Sequence, residues 1–274
     1  MNRSLGLAVC AAWLISVSGG VSWSPSGSHG RAKAGEPSGG PLPIKTLSFS
    51  ETIRELVIKE HRDLHPIIER QNPNMKLPFR RYFRPPLWRS EQQQIQGKND
   101  EVLIDVVDVV DRQAGKILHL DRKKKEFALG EAPSGPLELY DPEKYLGLAQ
   151  LRTAIRESGE SLGTKQINGR EAVGYRIDDE KPEWQPHGEG GIDTSEVWLD
   201  AKSQRPLFYE RIVASVSMPY HLVHVNILTR KDFVYDEKLD DALFSLKPPE
   251  GYTKGKLPQA QSFSPPTEGE SIDR

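Results

Sequence analysis

The side chains best suited to chemistry are the histidines and acids, and their spacing limits what they can do. His61 and His65 stand four apart in Ser48 to Arg70, where Ile53, Leu56, Val57, His61 and Leu64 recur at helical spacing. Two imidazoles so placed can hold one metal ion, which is how a metal-dependent hydrolase would be built. Residue 62 is Arg, so the glutamate of an HExxH helix is missing, and a solvated helix face is the simpler reading. His221 and His224 lie three apart, so on a strand they point to opposite faces. Asp105, Asp108 and Asp111 form a spaced carboxylate set, but they lie among valines without the glycine and flexible oxygen donors of a calcium loop. They read as rim or turn carboxylates. No G-x-S-x-G, Walker loop or dinucleotide fingerprint occurs, and no nucleophile is set beside a base. The sequence predicts no catalytic residue, no metal and no cofactor.

One run of residues has the chemistry of a surface contact. Lys76 to Arg89 interleaves Arg and Lys with Phe79, Tyr82, Phe83 and Trp88. Such a segment suits a phospholipid headgroup layer, giving a peripheral membrane contact, or an acidic partner. The competing reading is an irregular edge strand whose prolines block pairing and whose aromatics fill the core.

Composition narrows the class. The chain has 37 Lys and Arg against 39 Asp and Glu, a net charge of −2, without the basic excess of a general nucleic-acid binder. Residues 1–18 read as a signal peptide, with Arg3, an apolar run from Leu5 to Val17 and small residues at Ser16 and Ser18; the competing reading is an uncleaved N-terminal anchor. Cys10 lies inside that run with Val9 before it, which does not suit lipidation. Its removal leaves no thiol for a disulfide, nucleophile or metal. Export without cysteine fits a bacterial periplasm or cell envelope. Residues 19–44 read as a flexible Gly/Ser/Pro linker, 45–257 as one domain, and 258–274 as a disordered tail.

Within the domain, two helices are expected. Ser48 to Arg70 is the first, capped by Ser50 and ended or kinked by Pro66. Pro142 to Ser158 is the second, with Asp141 as N-cap, Pro142 at the first helical position, and Tyr145, Leu146, Leu148, Leu151 and Ile155 in one stripe. The rest reads as strands. Leu87 to Ile95 is followed by Glu101 to Asp111, with a bulge expected near Asp108, then Lys116 to Leu120 and Glu126 to Leu129. Asn168-Gly169 closes a hairpin within Lys165 to Asp178. Lys181 to Asp193 is a polar loop. Glu196 to Leu199 and Pro206 to Val213 form another hairpin, and Leu222 to Phe233 a last strand before the apolar stop Leu243-Phe244-Ser245-Leu246. Trp198 and Phe244 are expected to be buried anchors of the C-terminal sheet, one in the hairpin and one where the chain closes back onto it. The fold class is mainly β (α+β): a curved antiparallel sheet or half-open β-barrel covered by two or so helices.

Several of these segments resemble the bacterial lipoprotein-carrier (LolA-like) superfamily, which includes outer-membrane lipoprotein-sorting proteins. Val197-Trp198 with Asp200, Pro206 and Glu210 matches its "VW-D-x5-P-hydrophobic-x-x-E" hairpin, and Asp232 to Tyr252 its "DF-x-Y-D" to "PP-x-GY" ending. Ile167 to Ile177 matches a "hydrophobic-x-G-R-x-A-x-G-Y" strand, and Gly115 to Asp121 a "GK-x-hydrophobic-x-L-D" hairpin. The resemblance covers Trp88 to Tyr252 and departs before it, where Pro73 to Pro86 is basic and proline-rich. It implies a helix over the open mouth of the sheet and a non-enzymatic envelope protein that binds a lipid or a lipidated (acylated) protein in an apolar cavity. Trp88, Leu148, Leu151, Ile155 and Trp198 would line that cavity. The superfamily also contains periplasmic sensors, so a protein-binding regulator of an anti-sigma factor, with an envelope protein as partner, is the alternative.

Overall fold

Leu47, Phe49, Glu51 and Ile53 alternate with Ser48, Ser50 and Thr52, the period of a strand with one face turned inward. In the computed structural model, which describes residues 43–59, 76–96, 99–132, 140–178, 191–217 and 222–256, this segment is β1 (Leu47–Lys59). The helix expected from Ser48 is therefore corrected to a strand as far as Lys59. Its apolar residues do recur near helical spacing, but pairing on both sides decides the outcome, with β2 (Lys76–Arg84) and with β11 (Leu222–Tyr235). His61, His65 and the rest of that segment lie outside the described residues, as does the expected signal peptide.

β2 turns through Pro85-Pro86 into β3 (Leu87–Gln96), and β4 (Glu101–Asp111), β5 (Lys116–Asp121) and β6 (Glu126–Glu131) follow as a meander. After the helices come β7 (Glu160–Ile167), β8 (Arg170–Asp178), β9 (Gly191–Asp200) and β10 (Pro206–Ser217), leading into β11. A two-residue strand, β12 (Thr253–Lys254), pairs in parallel with β6. The twelve strands form one open sheet in the order β12-β6-β5-β4-β3-β2-β1-β11-β10-β9-β8-β7. Asn168 and Gly169 take φ of 49° and 74°, the left-handed pair that a two-residue hairpin turn requires.

Lys76 to Arg89 is no edge. β2 sits between β1 and β3, deep in the sheet, and Phe79, Arg81 and Phe83 are buried. Its aromatics do fill the core. The membrane contact proposed for this run is corrected accordingly: the rings point into the protein, and Arg84 and Arg89 bond to Asp241 and to Glu91 and the Leu243 carbonyl. The bulge expected near Asp108 is also misplaced. The register shifts where Gln94 and Ile95 face Ile104 and Val102, so Leu103 is the extra residue.

The segment from Pro142 is two helices, α1 (Pro142–Tyr145) and α2 (Leu148–Ser158). Asp141 caps α1 by accepting from the amides of Glu143 and Lys144, as expected, with Pro142 behind it. Gly147, at a φ of 63°, breaks the run, a left-handed conformation that a side chain would strain. This pair is the helical cover seen among the described residues.

Leu151 shows how the sheet bends. It packs both against the cluster of Leu47, Phe49, Phe83 and Phe233 and against that of Ile177, Val197 and Leu199. In a flat sheet β1 and β9 would be roughly 14 Å apart at three strand spacings. One side chain reaches both because the sheet curls around it, as a half-open barrel. The face under α2 is the concave one.

The convex face has its own cores. Phe244, in a 3-10 turn at Asp241–Phe244, covers Val107, Val109, Leu118 and Leu120. Trp198 packs with Ala172 and Leu207. Both are buried as expected, at 6% and 5% exposure for Trp198 and Phe244, but Phe244 closes onto β4 and β5 and not onto the C-terminal strands, a correction of its expected place.

Candidate functional site

Antiparallel register sets the concave face out in rows that run across the strands. The first row is apolar: Tyr235, Leu47, Phe83, Trp88, Val110 and Ile117 stand opposite one another in turn. Phe49 adds stacked contacts with Phe83 and Phe233, at 6.2 and 5.2 Å between centroids. Tyr145, at the end of α1, lies 5.1 Å from Phe83 and tilts over it. At this end Tyr145, Leu146, Leu148 and Leu151 fill the concavity.

The second row is Phe49, Arg81, Ser90, Asp108 and His119. Arg81 donates to Ser90 Oγ, and Asp108 Oδ1 is 2.7 Å from His119 Nδ1. Serine, aspartate and histidine thus meet on one face, but in an order that does not serve nucleophilic catalysis. Asp108 stands between the other two, leaving Ser90 and His119 roughly 10 Å apart at two strand spacings.

The third row carries Tyr209, Arg230, Glu51 and Phe79. Glu51 receives Arg81 Nη2 on Oε1 at 3.1 Å and Arg230 Nε on Oε2 at 2.7 Å. The Tyr145 hydroxyl donates to the same Oε1 at 3.3 Å. Burial alone would raise the Glu51 carboxyl, but the guanidinia of Arg230 and Arg81 outweigh it and hold the group below its usual range. Burial pushes the Tyr145 hydroxyl up, so it remains a proton donor to the carboxylate. Arg81 also stacks on Phe79, at 4.3 Å from the ring centre.

The fourth row is aliphatic again. Leu228, Ile53 and Leu77 stand opposite one another, with Arg211 beyond Leu228 in an ion pair with Asp193. These three apolar side chains are half-buried and belong to none of the buried clusters among the described residues. Beyond the helical end, a cleft of about 370 Å³ opens between Pro43, Ile44, Pro85, Pro86, Tyr140 and Pro142. Tyr140, in the wall of this cleft, meets the Trp88 ring edge-on at 5.8 Å.

Of the residues expected to line a cavity, Trp88, Leu148, Leu151 and Ile155 come together on this concave side. Trp198 does not. Val197 and Leu199 take the concave face, so strand alternation sends Trp198 to the convex one, where its ring lies against Gly174 and under the Lys165 ammonium at 3.6 Å. Its place in the lining set is corrected on that ground. Glu51, Arg81 and Arg230 were not singled out by sequence. The available signal was the alternation Phe79, Arg81, Phe83, which sets a charge among inward aromatics. Among the described residues no group of three or more His, Cys, Asp or Glu is placed to hold a metal ion. Among them, too, no helix is long and apolar enough to cross a membrane.

No family model matches the chain, and no curated protein sequence matches it. Several solved structures are similar in outline. Lipoprotein LppX of Mycobacterium tuberculosis aligns with a TM-score of 0.33 at 12% identity, over 72% of this chain and 89% of that one. LprF of Mycobacterium bovis aligns with a TM-score of 0.35 at 13% identity, over 70% and 87%. A β-barrel-like protein of a domain of unknown function from Brucella abortus aligns at 0.26 and 8%, over 73% and 100%.

Proposed function

We propose that this chain is an exported, non-enzymatic envelope protein whose concave face binds a lipid or the lipidated end of another protein. The observation that carries the reading is the fourth row. Leu228, Ile53 and Leu77 present half-buried aliphatic surface on the inside of a curved sheet, beyond the row of Glu51 from the aromatic floor under α2. Each methylene buried there is worth about 0.8 kcal/mol, so ten supply roughly 8 kcal/mol before the cost of ordering the ligand is subtracted. Trp88, Leu148, Leu151 and Ile155 then act as the closing wall, which a ligand entering from the helical end must push aside. The N-terminal apolar run behind Arg3 supports export, with a mature N-terminus near Gly19.

Native mass spectrometry of the exported protein after mild extraction tests the reading, with a stoichiometric lipid adduct as the expected result. Absence of any adduct, together with no binding of a fluorescent acyl probe, would sink it and leave the protein-binding sensor as the better account.

A further inference from the structure

Glu51, Arg81 and Arg230 interrupt a floor that is otherwise apolar on both sides of them. Glu51 and Arg81 keep 3% of their side chains exposed and Arg230 keeps 11%. Two guanidinia share one carboxylate, so the trio buries one positive charge in excess. Asp108, the next acid on that face, is bonded to His119 and stands beyond Ser90. Arg211 is paired with Asp193.

Stability does not account for this trio. Apolar residues of similar volume are often as stabilising as a buried ion pair, and an excess buried charge is costly. The donors are also incompletely used. Arg81 Nε and Trp88 Nε1 are buried without a hydrogen-bond partner among the described residues. The Arg81 guanidinium carbon lies 5.9 Å from the centre of the Trp88 ring.

We propose that Arg81 and Arg230 receive the anionic head, a carboxylate or phosphate, of an amphiphile whose chain lies along Leu228, Ile53 and Leu77. This rests on the lipid-binding reading above and names its ligand class. Ile53 follows Glu51 by two residues on the same face, so head and chain sites are roughly 7 Å apart along β1. Planar guanidinium forks match the oxygens of either head, which a single ammonium would not. The Tyr145 hydroxyl occupies the approach to the trio. When α1 swings outward, the hydroxyl leaves Glu51, and the two arginines face the incoming anion. Until then Glu51 holds one arginine on each of its two oxygens.

The test uses the exported full chain and four probes: dansyl-aminoundecanoic acid, its methyl ester, dodecyl phosphate and inorganic phosphate. The acid should bind about tenfold tighter than the ester, and dodecyl phosphate should displace it. Arg230→Gln should bring the acid down to the ester's affinity and leave ester binding unchanged. Glu51→Gln should tighten the acid, because an internal competitor for both arginines is gone. Should Arg230→Gln fail to fold, the parent's acid-to-ester ratio and the Glu51→Gln response decide the matter.

Equal binding of acid and ester by the parent would overturn the head-group assignment while leaving lipid binding intact. So would an equal loss of both in Arg230→Gln, which would make Arg230 a structural residue. Displacement of the acid by inorganic phosphate as readily as by dodecyl phosphate would mean a free-anion site and overturn it too. If neither acid nor ester binds, the lipid-binding reading falls and this inference falls with it.

Discussion

The Tyr145 hydroxyl donates to Glu51 across 94 residues of chain, at 3.3 Å. That is long for an O–H···O bond, whose usual length is about 2.7–2.8 Å. The helical cover is thus fastened to the ionised centre of the sheet by a weak bond, while Ile44 ties the same end to Glu143 at 3.2 Å. Tyr145→Phe should keep the ring packing, cost under about 1 kcal/mol, and loosen the cover. Amide exchange in Pro142–Ser158 should quicken relative to β1 and β11. Unchanged protection there would show that the hydroxyl is not a latch.

Glu51 should make stability depend on pH in a definite direction. Burial opposes its charge, but the two arginines win and lower its pKa below the ordinary 4.5. A group lowered in this way contributes stability that is present above its unfolded pKa and lost as pH falls through the folded one. The urea midpoint of the parent should therefore exceed that of Glu51→Gln most clearly above pH 4.5, with the gap closing as the solution is acidified. Glu51→Ala, which strands two buried guanidinia, should cost about 3–5 kcal/mol. A gap that widens at low pH would mean the carboxyl is not ionised in the folded chain.

Leu151 touches both halves of the concave core. Leu151→Glu should weaken binding of a fluorescent fatty-acyl probe while leaving the β-rich circular dichroism spectrum intact, because the strands keep their pairing. Suppose the parent binds no such probe and α2 exchanges as slowly as the central strands. The cover is then a fixed part of the core.

The convex anchors make a stability test with no bearing on ligand. Trp198→Ala and Phe244→Ala should each cost about 3–5 kcal/mol. Gly174→Ala should also destabilise, by about 1–3 kcal/mol, since its new methyl would meet the Trp198 ring at 2.6 Å, against a side chain packed on its other side by Lys165. If both alanine variants melt within a degree or two of the parent, the convex cores contribute little.

Local rules read most of the sheet. Asn168-Gly169 forces a hairpin whatever lies around it, and Asp141-Pro142 starts a helix by its own hydrogen bonds. The sequence of β1 fits a helix as well as a strand, because a buried glutamate breaks its apolar alternation. The same residue explains why the site was hidden. Glu51 lies 30 residues from Arg81 and 179 from Arg230, and each looks like solvated charge until pairing of three strands brings them together. Leu148, Leu151 and Ile155 were visible because a helical stripe is local. The side of the sheet that Trp198 takes is not legible in the sequence, because burial alone does not say which face of a strand a ring occupies.

The place of β1 between β2 and β11 has a consequence for how the chain comes into being. The first strand made completes its pairing only with the last long one, 179 residues later at Glu51 and Arg230. At about 5–20 residues per second, β1 waits roughly 10–35 s with one edge open. Until β11 arrives, the nascent protein carries an unpaired strand edge, and a carboxylate still lacking Arg230, in what will be the middle of the sheet. It is therefore most exposed to misassembly, and to capture by a chaperone that binds extended segments, in the interval before its final third is synthesised.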